Sequence, residues 1–283
     1  MRIVITGALG QLGKALQHAL TEADLVLIDL PDWDITDPQS VALMANLKPE
    51  VMIHCAAMTD VDGCARNPDL AYQVNAFGTQ NVALACQRSG AAMVHISTNE
   101  VFDGTATEPY REFDSRHPIN PYGASKLAAE QIAARLVNKL YIVRISWLFA
   151  PGGNNFVGKI TAAADKHGRL RVVTDEVANP TYAPDLADAI AHLIQTEHYG
   201  NYHLVNEGYC SRYEFALEIL KQSGRESVPV SPITSDEFQR ASRPPPFAPL
   251  CNTLGAALGI TLRPWQETLS DYFAVIDSLT QAK

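Results

Sequence analysis

The sequence has few cysteines, no long apolar run and no excess of positive charge. Its five cysteines are scattered and form no Cys-x-x-Cys pair, which argues against a disulfide framework or a zinc site and is typical of free thiols in a reducing cytoplasm. No apolar run approaches the ~20 residues that a membrane-spanning helix needs. The net charge of −9 at pH 7 disfavours nucleic acid as a partner. We therefore expect a cytoplasmic protein that binds neither a membrane nor nucleic acid.

Other absences narrow the class of protein further. The first residues form a short apolar segment that gives way to glycines, which is not the pattern of a signal peptide. The eight histidines form no His-x-x-x-His or His-Glu-x-x-His motif, and we predict no metal site. A hydrophobic fraction of 47% excludes a disordered chain, and 283 residues allow about two structural units.

The first half of the chain alternates strand-like and helix-like segments. Continuous apolar runs bounded by turn residues are typical of strands buried on both faces, as parallel sheets require. The predicted strands cover residues 2–6, 25–29, 51–54, 92–97 and 140–145, and the helices cover residues 11–20, 72–88 and 122–136. Such alternation implies right-handed crossovers and an α/β fold with a doubly wound parallel Rossmann sheet.

The second half has a looser rhythm. Its predicted strands cover residues 170–173, 202–205 and 228–231, its helices cover residues 213–222 and 265–279, and three prolines place residues 243–246 in a loop. We predict a smaller C-terminal α/β part beside the sheet. The expected division is an NAD(P)-binding Rossmann domain at residues 1–150 and a mainly substrate-binding domain at residues 151–283, with some segments returning to the first domain.

A glycine-rich turn joins the first strand to the first helix. Gly7, Gly10 and Gly13 have the spacing Gly-x-x-Gly-x-x-Gly. Glycines let the backbone approach a pyrophosphate closely, and the helix N-terminus offers free N–H groups to an anion. The turn predicts a dinucleotide site; the alternative is a tight turn that needs glycine only for packing.

The next two strands end in residues suited to the same cofactor. Asp29 ends the second strand, where a carboxylate can accept hydrogen bonds from the adenosine ribose, and no Lys or Arg follows before Asp37 to neutralise a 2′-phosphate. Ala56 and Ala57 follow the third strand and leave room for a cofactor. The cofactor is therefore NADPH or NADH, with NADH favoured, although Asp29 could instead cap the following turn.

A Tyr-x-x-x-Lys motif opens a predicted helix at Tyr122 and Lys126. Their spacing places both side chains on one helix face, where we expect the ammonium to lower the pKa of the phenol and make Tyr122 a proton donor. The motif alone also occurs on ordinary surface helices. Here Thr98 ends the fourth strand, where ligands of open α/β sheets bind, and its hydroxyl can contact a carbonyl oxygen.

The glycine turn, the strand-end hydroxyl and Tyr-x-x-x-Lys, in this order, resemble the extended short-chain dehydrogenase/reductase superfamily. Further segments are similar to those of the dTDP-4-dehydrorhamnose reductase family along essentially the whole chain. They are STNEVFDG at 97–104, PYRE at 109–112, PINPYGASKL at 118–127, RISWLF at 144–149, GNNF at 153–156, NPT at 179–181 and PWQE at 264–267.

The resemblance implies a role for each matched residue. Thr98, Tyr122 and Lys126 would be catalytic, Tyr122 and Lys126 would also contact the cofactor, and Gly7, Gly10, Gln11, Leu12 and Gly13 would cradle its phosphates. The implied substrate contacts are Thr98, Asn99, Glu100, Trp147, Asn155 and Arg243. Trp147 could instead be a core residue, and Arg243 a solvated loop charge.

The sequence departs from the family pattern beside the catalytic threonine. Asn99 replaces the usual Asp and Glu100 replaces the usual Tyr, which concerns the identity of the sugar rather than the reductase chemistry. We expect NAD(P)H-dependent reduction of the C4 ketone of a nucleotide-linked 6-deoxy sugar, most simply dTDP-4-dehydro-L-rhamnose to dTDP-L-rhamnose. The alternatives are another 4-keto sugar nucleotide and a non-catalytic subunit like the regulatory subunit of methionine adenosyltransferase. Some relatives form metal-bridged dimers; a homodimer is compatible with the sequence, which offers no convincing carboxylate set for such a bridge.

Overall fold

A computed structural model describes residues 1–281, with the side chains of residues 1–278. The strands are β1 (Arg2–Thr6), β2 (Asp24–Ile28), β3 (Val51–His54), β4 (Ala92–Thr98), β5 (Leu140–Ile145), β6 (Leu148–Phe149), β7 (Leu170–Val173), β8 (Val177–Ala178), β9 (Thr181–Tyr182), β10 (Gly200–His203), β11 (Cys210–Ser211) and β12 (Val230–Ile233). The α-helices are α1 (Gln11–Ala19), α2 (Ser40–Asn46), α3 (Val61–Arg66), α4 (Pro68–Tyr72), α5 (Gly78–Ser89), α6 (Pro121–Leu136), α7 (Phe156–His167), α8 (Ala183–Leu193), α9 (Arg212–Gln222), α10 (Leu254–Ala257) and α11 (Trp265–Gln281). None of these helices is long and apolar enough to cross a bilayer.

Six parallel strands form the central sheet, in the order β10–β5–β4–β3–β1–β2. The strands β3, β4 and β5 are buried along their whole length, because helices cover both faces of the sheet. The predicted α/β fold with a doubly wound parallel sheet is confirmed. Strand order reverses between β1 and β3, which opens a crevice beyond the carboxyl ends of the strands.

The second half of the chain contributes to several hydrophobic clusters, two of which are large. β10 pairs with β5 at the edge of the sheet, and Leu186 and Ile190 of α8 pack in one cluster with Ile3 and Leu16. A smaller cluster is built around Phe215 of α9 and joins α7, α9 and α11 to the pair β7–β12. The division of the chain at residue 150 stays a prediction.

The predicted helix over residues 72–88 is interrupted in the structure. Residues Gln73–Phe77 form a π-helix between α4 and α5, and the buried amide of Asn75 lies in it. The second half also contains the helices α7 and α8, which were not predicted from the sequence.

Candidate active site

A cleft of about 940 Å³ opens beyond the carboxyl ends of the central strands. Gly7, Asp29, Cys55, Thr98 and Ser146 line it, and they follow or end β1, β2, β3, β4 and β5. Residues from α6, α7 and α9 close its other side. The cleft therefore stands at the sheet edge where open α/β folds bind nucleotides.

The glycine turn is shaped for close approach of the backbone. Gly7 has a φ of +70°, and a Cβ on it would lie 2.6 Å from the backbone nitrogen of Ala56. A Cβ on Gly13 would collide with the carbonyl oxygen of Gly7. The N-cap of α1, Gly10, carries no side chain, so the first N–H groups of the helix face the cleft without a capping partner. The residues present fit the pyrophosphate of a dinucleotide.

Asp29 holds the turn and also faces the cleft. Its Oδ2 accepts a hydrogen bond from the backbone N–H of Leu9 at 2.7 Å, and its Oδ1 accepts one from Leu30 at 2.8 Å. Ala56 and Ala57 line the cleft beside it. The capping alternative and the ribose contact are thus compatible, because each carboxylate oxygen has a second lone pair.

Thr98, Tyr122 and Lys126 line the cleft together and are almost fully buried. Tyr122 lies in the first turn of α6, whose N-cap Asn120 accepts the N–H of Gly123 at 2.8 Å through Oδ1. Lys126, one turn later, donates from Nζ to the carbonyl oxygen of Ile96 at 2.6 Å. The structure thus brings a hydroxyl, a phenol and an ammonium to one place.

The prediction that Lys126 lowers the pKa of Tyr122 is wrong for this structure. Burial, followed by the charge of Glu100, raises the pKa of Tyr122 above its usual range. Burial also lowers the pKa of Lys126 to about 8, with Glu130 and Cys55 opposing the change. Tyr122 is therefore a neutral phenol that holds its proton at physiological pH.

A buried carboxylate behind this trio was not found from the sequence. Glu130 of α6 accepts bonds from Ser97 Oγ at 2.5 Å, from Arg144 Nε and Nη2 at 2.9 Å each and from Arg116 at 3.0 Å. Although burial opposes it, these partners hold the pKa of Glu130 below its usual range. The network fixes α6 against β4 and β5.

The amide of Asn75 fixes the other side of α6. Its Nδ2 donates to Ser125 Oγ at 2.9 Å and to the carbonyl of Met58 at 3.1 Å, and its Oδ1 accepts the N–H of Met58 at 2.8 Å. Asn75 is fully buried in the π-helix, and these hydrogen bonds satisfy its amide there. It supports the turn that carries Tyr122.

Besides Thr98, four of the predicted substrate residues line the cleft: Asn99, Glu100, Trp147 and Asn155. Asn99 donates to the carbonyl of Ala248 at 3.1 Å. Asn155 caps α7 and donates to Gln11 Oε1 at 2.9 Å, which joins the glycine turn to the second half of the chain. Gln11 and Leu12 line the cleft as predicted.

Glu100 and Trp147 are the more exposed members of this group. Asn120 donates to Glu100 Oε2 at 2.6 Å, and burial raises the pKa of Glu100 to about 7. Trp147 has a φ of +41°, unusual for a residue with a side chain, and its ring faces the cleft.

Arg243 is not among the residues that line the cleft. Its side chain is 85% exposed and pairs with Asp236 at 2.9 Å. Arg212 lines the cleft instead, with its guanidinium 3.6 Å from the centroid of the Trp147 ring. The capping box Ser211–Glu214 was the available signal, since it starts α9 at Arg212, one residue before the predicted helix.

Within residues 1–278, no cluster of three or more His, Cys, Asp or Glu side chains is arranged to hold a metal ion. The fold and the site together define an NAD(P)-dependent short-chain dehydrogenase/reductase of the extended type.

Comparison with known proteins gives the particular family. The family described as RmlD substrate binding domain matches residues 1–278. The dTDP-4-dehydrorhamnose reductase of Mycobacterium tuberculosis is 38% identical over 282 residues, covering 96% of this chain and 92% of that protein. The chain belongs to the dTDP-4-dehydrorhamnose reductase family.

Solved structures agree with this assignment. A dTDP-4-dehydrorhamnose reductase from Clostridium acetobutylicum superposes with a TM-score of 0.94 at 40% identity, covering 98% of this chain and 100% of that one. The dTDP-4-dehydrorhamnose reductase of Bacillus anthracis in complex with NADP has a TM-score of 0.93 at 42% identity, covering 96% and 98% of the two chains. The expected resemblance is confirmed.

Proposed function

We propose that this protein uses NAD(P)H to reduce the C4 ketone of a nucleotide-linked 6-deoxy sugar, with dTDP-4-dehydro-L-rhamnose as substrate and dTDP-L-rhamnose as product. The observation that carries the proposal is that Thr98, Tyr122 and Lys126 share one cleft with the glycine turn. Membership of the dTDP-4-dehydrorhamnose reductase family supports the substrate class, and the NADP complex of the Bacillus anthracis relative supports the cofactor.

The cofactor would lie along the glycine turn, Asp29 and the two alanines after β3. When bound, NAD(P)H supplies the hydride. The N–H groups at the start of α1 would stabilise its pyrophosphate, and the Asp29 carboxylate would accept hydrogen bonds from its adenosine ribose.

Tyr122 and Thr98 would act on the oxygen of the ketone, and Lys126 would support them. Tyr122 keeps its proton because its pKa is raised, and it would donate that proton to the oxygen as negative charge develops there. The Thr98 hydroxyl would hold the same oxygen by a hydrogen bond. Lys126, whose pKa of about 8 leaves it mostly charged at neutral pH, would donate hydrogen bonds to the nicotinamide ribose of the bound cofactor. A subunit that only binds a partner has no need for such a proton donor.

The identity of the sugar is the open part of the proposal. Asn99 is committed to the backbone at Ala248, whereas Glu100 offers the cleft a carboxyl group where the family usually has a tyrosine. This observation favours, as a second candidate, another 4-keto sugar nucleotide. Oxidation of NADH and NADPH should be followed with a panel of 4-keto nucleotide sugars; failure to reduce any of them would refute the proposed function.

Replacing Tyr122 by Phe should test the mechanism. We expect turnover to fall about 10²–10⁴-fold, because the phenol supplies the proton, while NADH binding is retained. Initial rates and cofactor fluorescence would measure the two effects. Tyr209→Phe, at a half-exposed tyrosine outside the cleft lining, is the matched control. Full activity in Tyr122→Phe would contradict the mechanism.

Two further properties belong to the proposal. All five cysteines are free thiols, which supports a cytoplasmic location. A homodimer stays a prediction, which light scattering on the purified protein would test.

A further inference from the structure

Arg212 lines the cleft but has no role in the proposed mechanism. It begins α9, directly after the N-cap Ser211, and its side chain is 21% exposed. The guanidinium lies over the ring of Trp147 at 3.6 Å and near that of Phe156 at 4.8 Å, and Nε is 3.7 Å from Glu176 Oε2. Stacking on the tryptophan holds the guanidinium plane in one orientation.

The hydrogen-bonding capacity of this guanidinium is largely unused. An arginine side chain carries five N–H donors. Within residues 1–278 none of them makes a hydrogen bond to a protein oxygen, and the contact with Glu176 is longer than a hydrogen bond. Burial lowers the pKa of Arg212 to about 10, so the group stays charged at neutral pH. Partly buried donors that line a cleft and lack partners indicate a ligand.

Glu100 supplies the complementary acceptor. Its Oε2 is bound by Asn120, and its Oε1 has no hydrogen-bond donor within residues 1–278. Glu100 follows Thr98 by two residues, and its backbone N–H donates to Thr98 Oγ1 at 3.2 Å. The charge of Glu100 also acts on the phenol of Tyr122, so the carboxyl group lies near the proton donor.

The charges around Arg212 favour a neutral ligand group over a phosphate. Glu176 is shared between Arg212 and Arg240, at 3.7 and 3.5 Å, and Arg240 also pairs with Asp62 at 3.2 Å. With Glu100 added, the acidic groups around the two arginines are at least as many as the cations. A hydroxyl group, which both donates and accepts, suits Arg212 and Glu100 together.

We propose that Arg212 and Glu100 are specificity-determining residues that hydrogen-bond to ring hydroxyl groups of the sugar beside the reacting carbon, Arg212 as donor and Glu100 as acceptor. The inference rests on the proposed function, since it assigns a task within the same substrate site. A sugar that lacks such a hydroxyl leaves partly buried polar groups unpaired, and sites of this kind discriminate strongly against the deoxy analogue.

The test compares the 4-keto sugar nucleotide with its 2-deoxy and 3-deoxy analogues, using the full-length wild type, Arg212→Met, Arg212→Lys and Glu100→Gln. We expect the wild type to prefer the parent sugar by at least tenfold in kcat/KM over one of the analogues. Arg212→Met should raise KM for the parent at least tenfold, leave the Kd for NADH within twofold and reduce the preference to below threefold. Arg212→Lys should retain part of the preference, because it keeps a cationic donor. Glu100→Gln should reduce it as well, since a carboxylate accepts more strongly than an amide.

The matched control is Arg171→Met. Arg171 pairs with a single glutamate, Glu237, at 3.3 Å in the same half of the chain but outside the cleft lining. The Arg171→Met variant should leave the preference between sugars unchanged.

If Arg212→Met lowers kcat/KM by the same factor for the parent and both analogues, Arg212 only supports Trp147 and the inference is overturned. A wild type without preference among the three sugars also overturns it, whereas a wild type that reduces none of them refutes the proposed function itself. Should Arg212→Met fail to fold, Arg212→Lys and Glu100→Gln decide on the same comparison.

Discussion

Glu100 shows how a single carboxyl group in the cleft couples the site to pH. Burial raises its pKa to about 7 from an ordinary value of 4.5, so the folded protein binds a proton that the unfolded chain releases between those two pH values. The free energy of unfolding that this group contributes is therefore complete below pH 4.5 and is lost as the pH rises to about 7. Glu100 costs stability at the pH where the enzyme would work.

Replacing Glu100 by Gln should remove that cost. Relative to the wild type, we expect Glu100→Gln to be more stable at pH 8 than at pH 4.5 by about 3 kcal/mol, because the amide has no charge to desolvate and can still accept from Asn120. Urea unfolding at the two pH values would measure this difference. Glu226→Gln, which removes an exposed carboxylate, is the control. An equal effect of Glu100→Gln at both pH values would contradict the assignment.

At the scale of single elements, α6 depends on its N-cap. Asn120 caps the helix through Oδ1, and its Nδ2 donates both to Glu100 and to the carbonyl of Arg243 at 3.1 Å. One side chain thus joins the start of the catalytic helix, the segment after β4 and the proline-rich loop. Its loss should affect more than the helix end.

Replacing Asn120 by Ala should lower the free energy of unfolding by about 2 kcal/mol, at the upper end for an N-cap, because the bonds to Glu100 and Arg243 are lost as well. Asn120→Ser, which retains a capping oxygen, should recover part of the loss. Asn67→Ala is the comparison, since Asn67 caps the short helix α4 through one bond of 3.2 Å to Leu70. Equal losses at the two caps, measured by urea unfolding, would show that the additional bonds of Asn120 contribute nothing.

Elements whose apolar period is uniform were predictable from the sequence, and those shaped by tertiary partners were not. The central strands follow from continuous apolar runs, and β1, β3 and β5 lie at the expected residues. The π-helix at Gln73–Phe77 was missed because Asn75 turns inward to reach Met58 and Ser125, and no local pattern reveals those partners. The cleft residues before and within α6 were predictable because strand ends and helix starts fix them locally.

Tertiary contacts also explain why the sequence predicted Arg243 as a substrate residue whereas Arg212 lines the cleft. Arg243 lies in a loop whose position depends on distant contacts, and it ends in an exposed ion pair with Asp236. Arg212 lies at a helix start that the capping box of Ser211 and Glu214 marks, yet its stacking on Trp147 depends on the path of a different segment. The sequence predicted the cleft residues at the strand ends and at the start of α6, but it did not reveal that Arg212 lines the cleft.

For the whole molecule, the net charge of −9 conceals an uneven charge distribution in the cleft. Asp29 and Asp34 line it beside β2, at the edge of the sheet, while the basic residues of its lining are Lys126, Lys159 and Arg212. The adenosine end of the cofactor, which would lie beside β2, would therefore meet carboxylates. This asymmetry sets an expectation for the choice between NADH and NADPH.

The carboxylates beside β2 should make NADH the better cofactor, because a 2′-phosphate would stand next to Asp29 with no basic residue of the lining nearby. We expect the ratio of kcat/KM for NADH over NADPH to exceed one in the wild type and to fall about tenfold in Asp29→Asn, since about 1.4 kcal/mol of repulsion would be relieved. Asp32→Asn removes the same charge from an exposed position outside the cleft lining and should leave the ratio unchanged. The amide in Asp29→Asn can still accept the N–H of Leu9, so the glycine turn should persist. A wild type that prefers NADPH, or an Asp29→Asn variant that weakens both cofactors equally, would show that Asp29 acts only as the support of that turn.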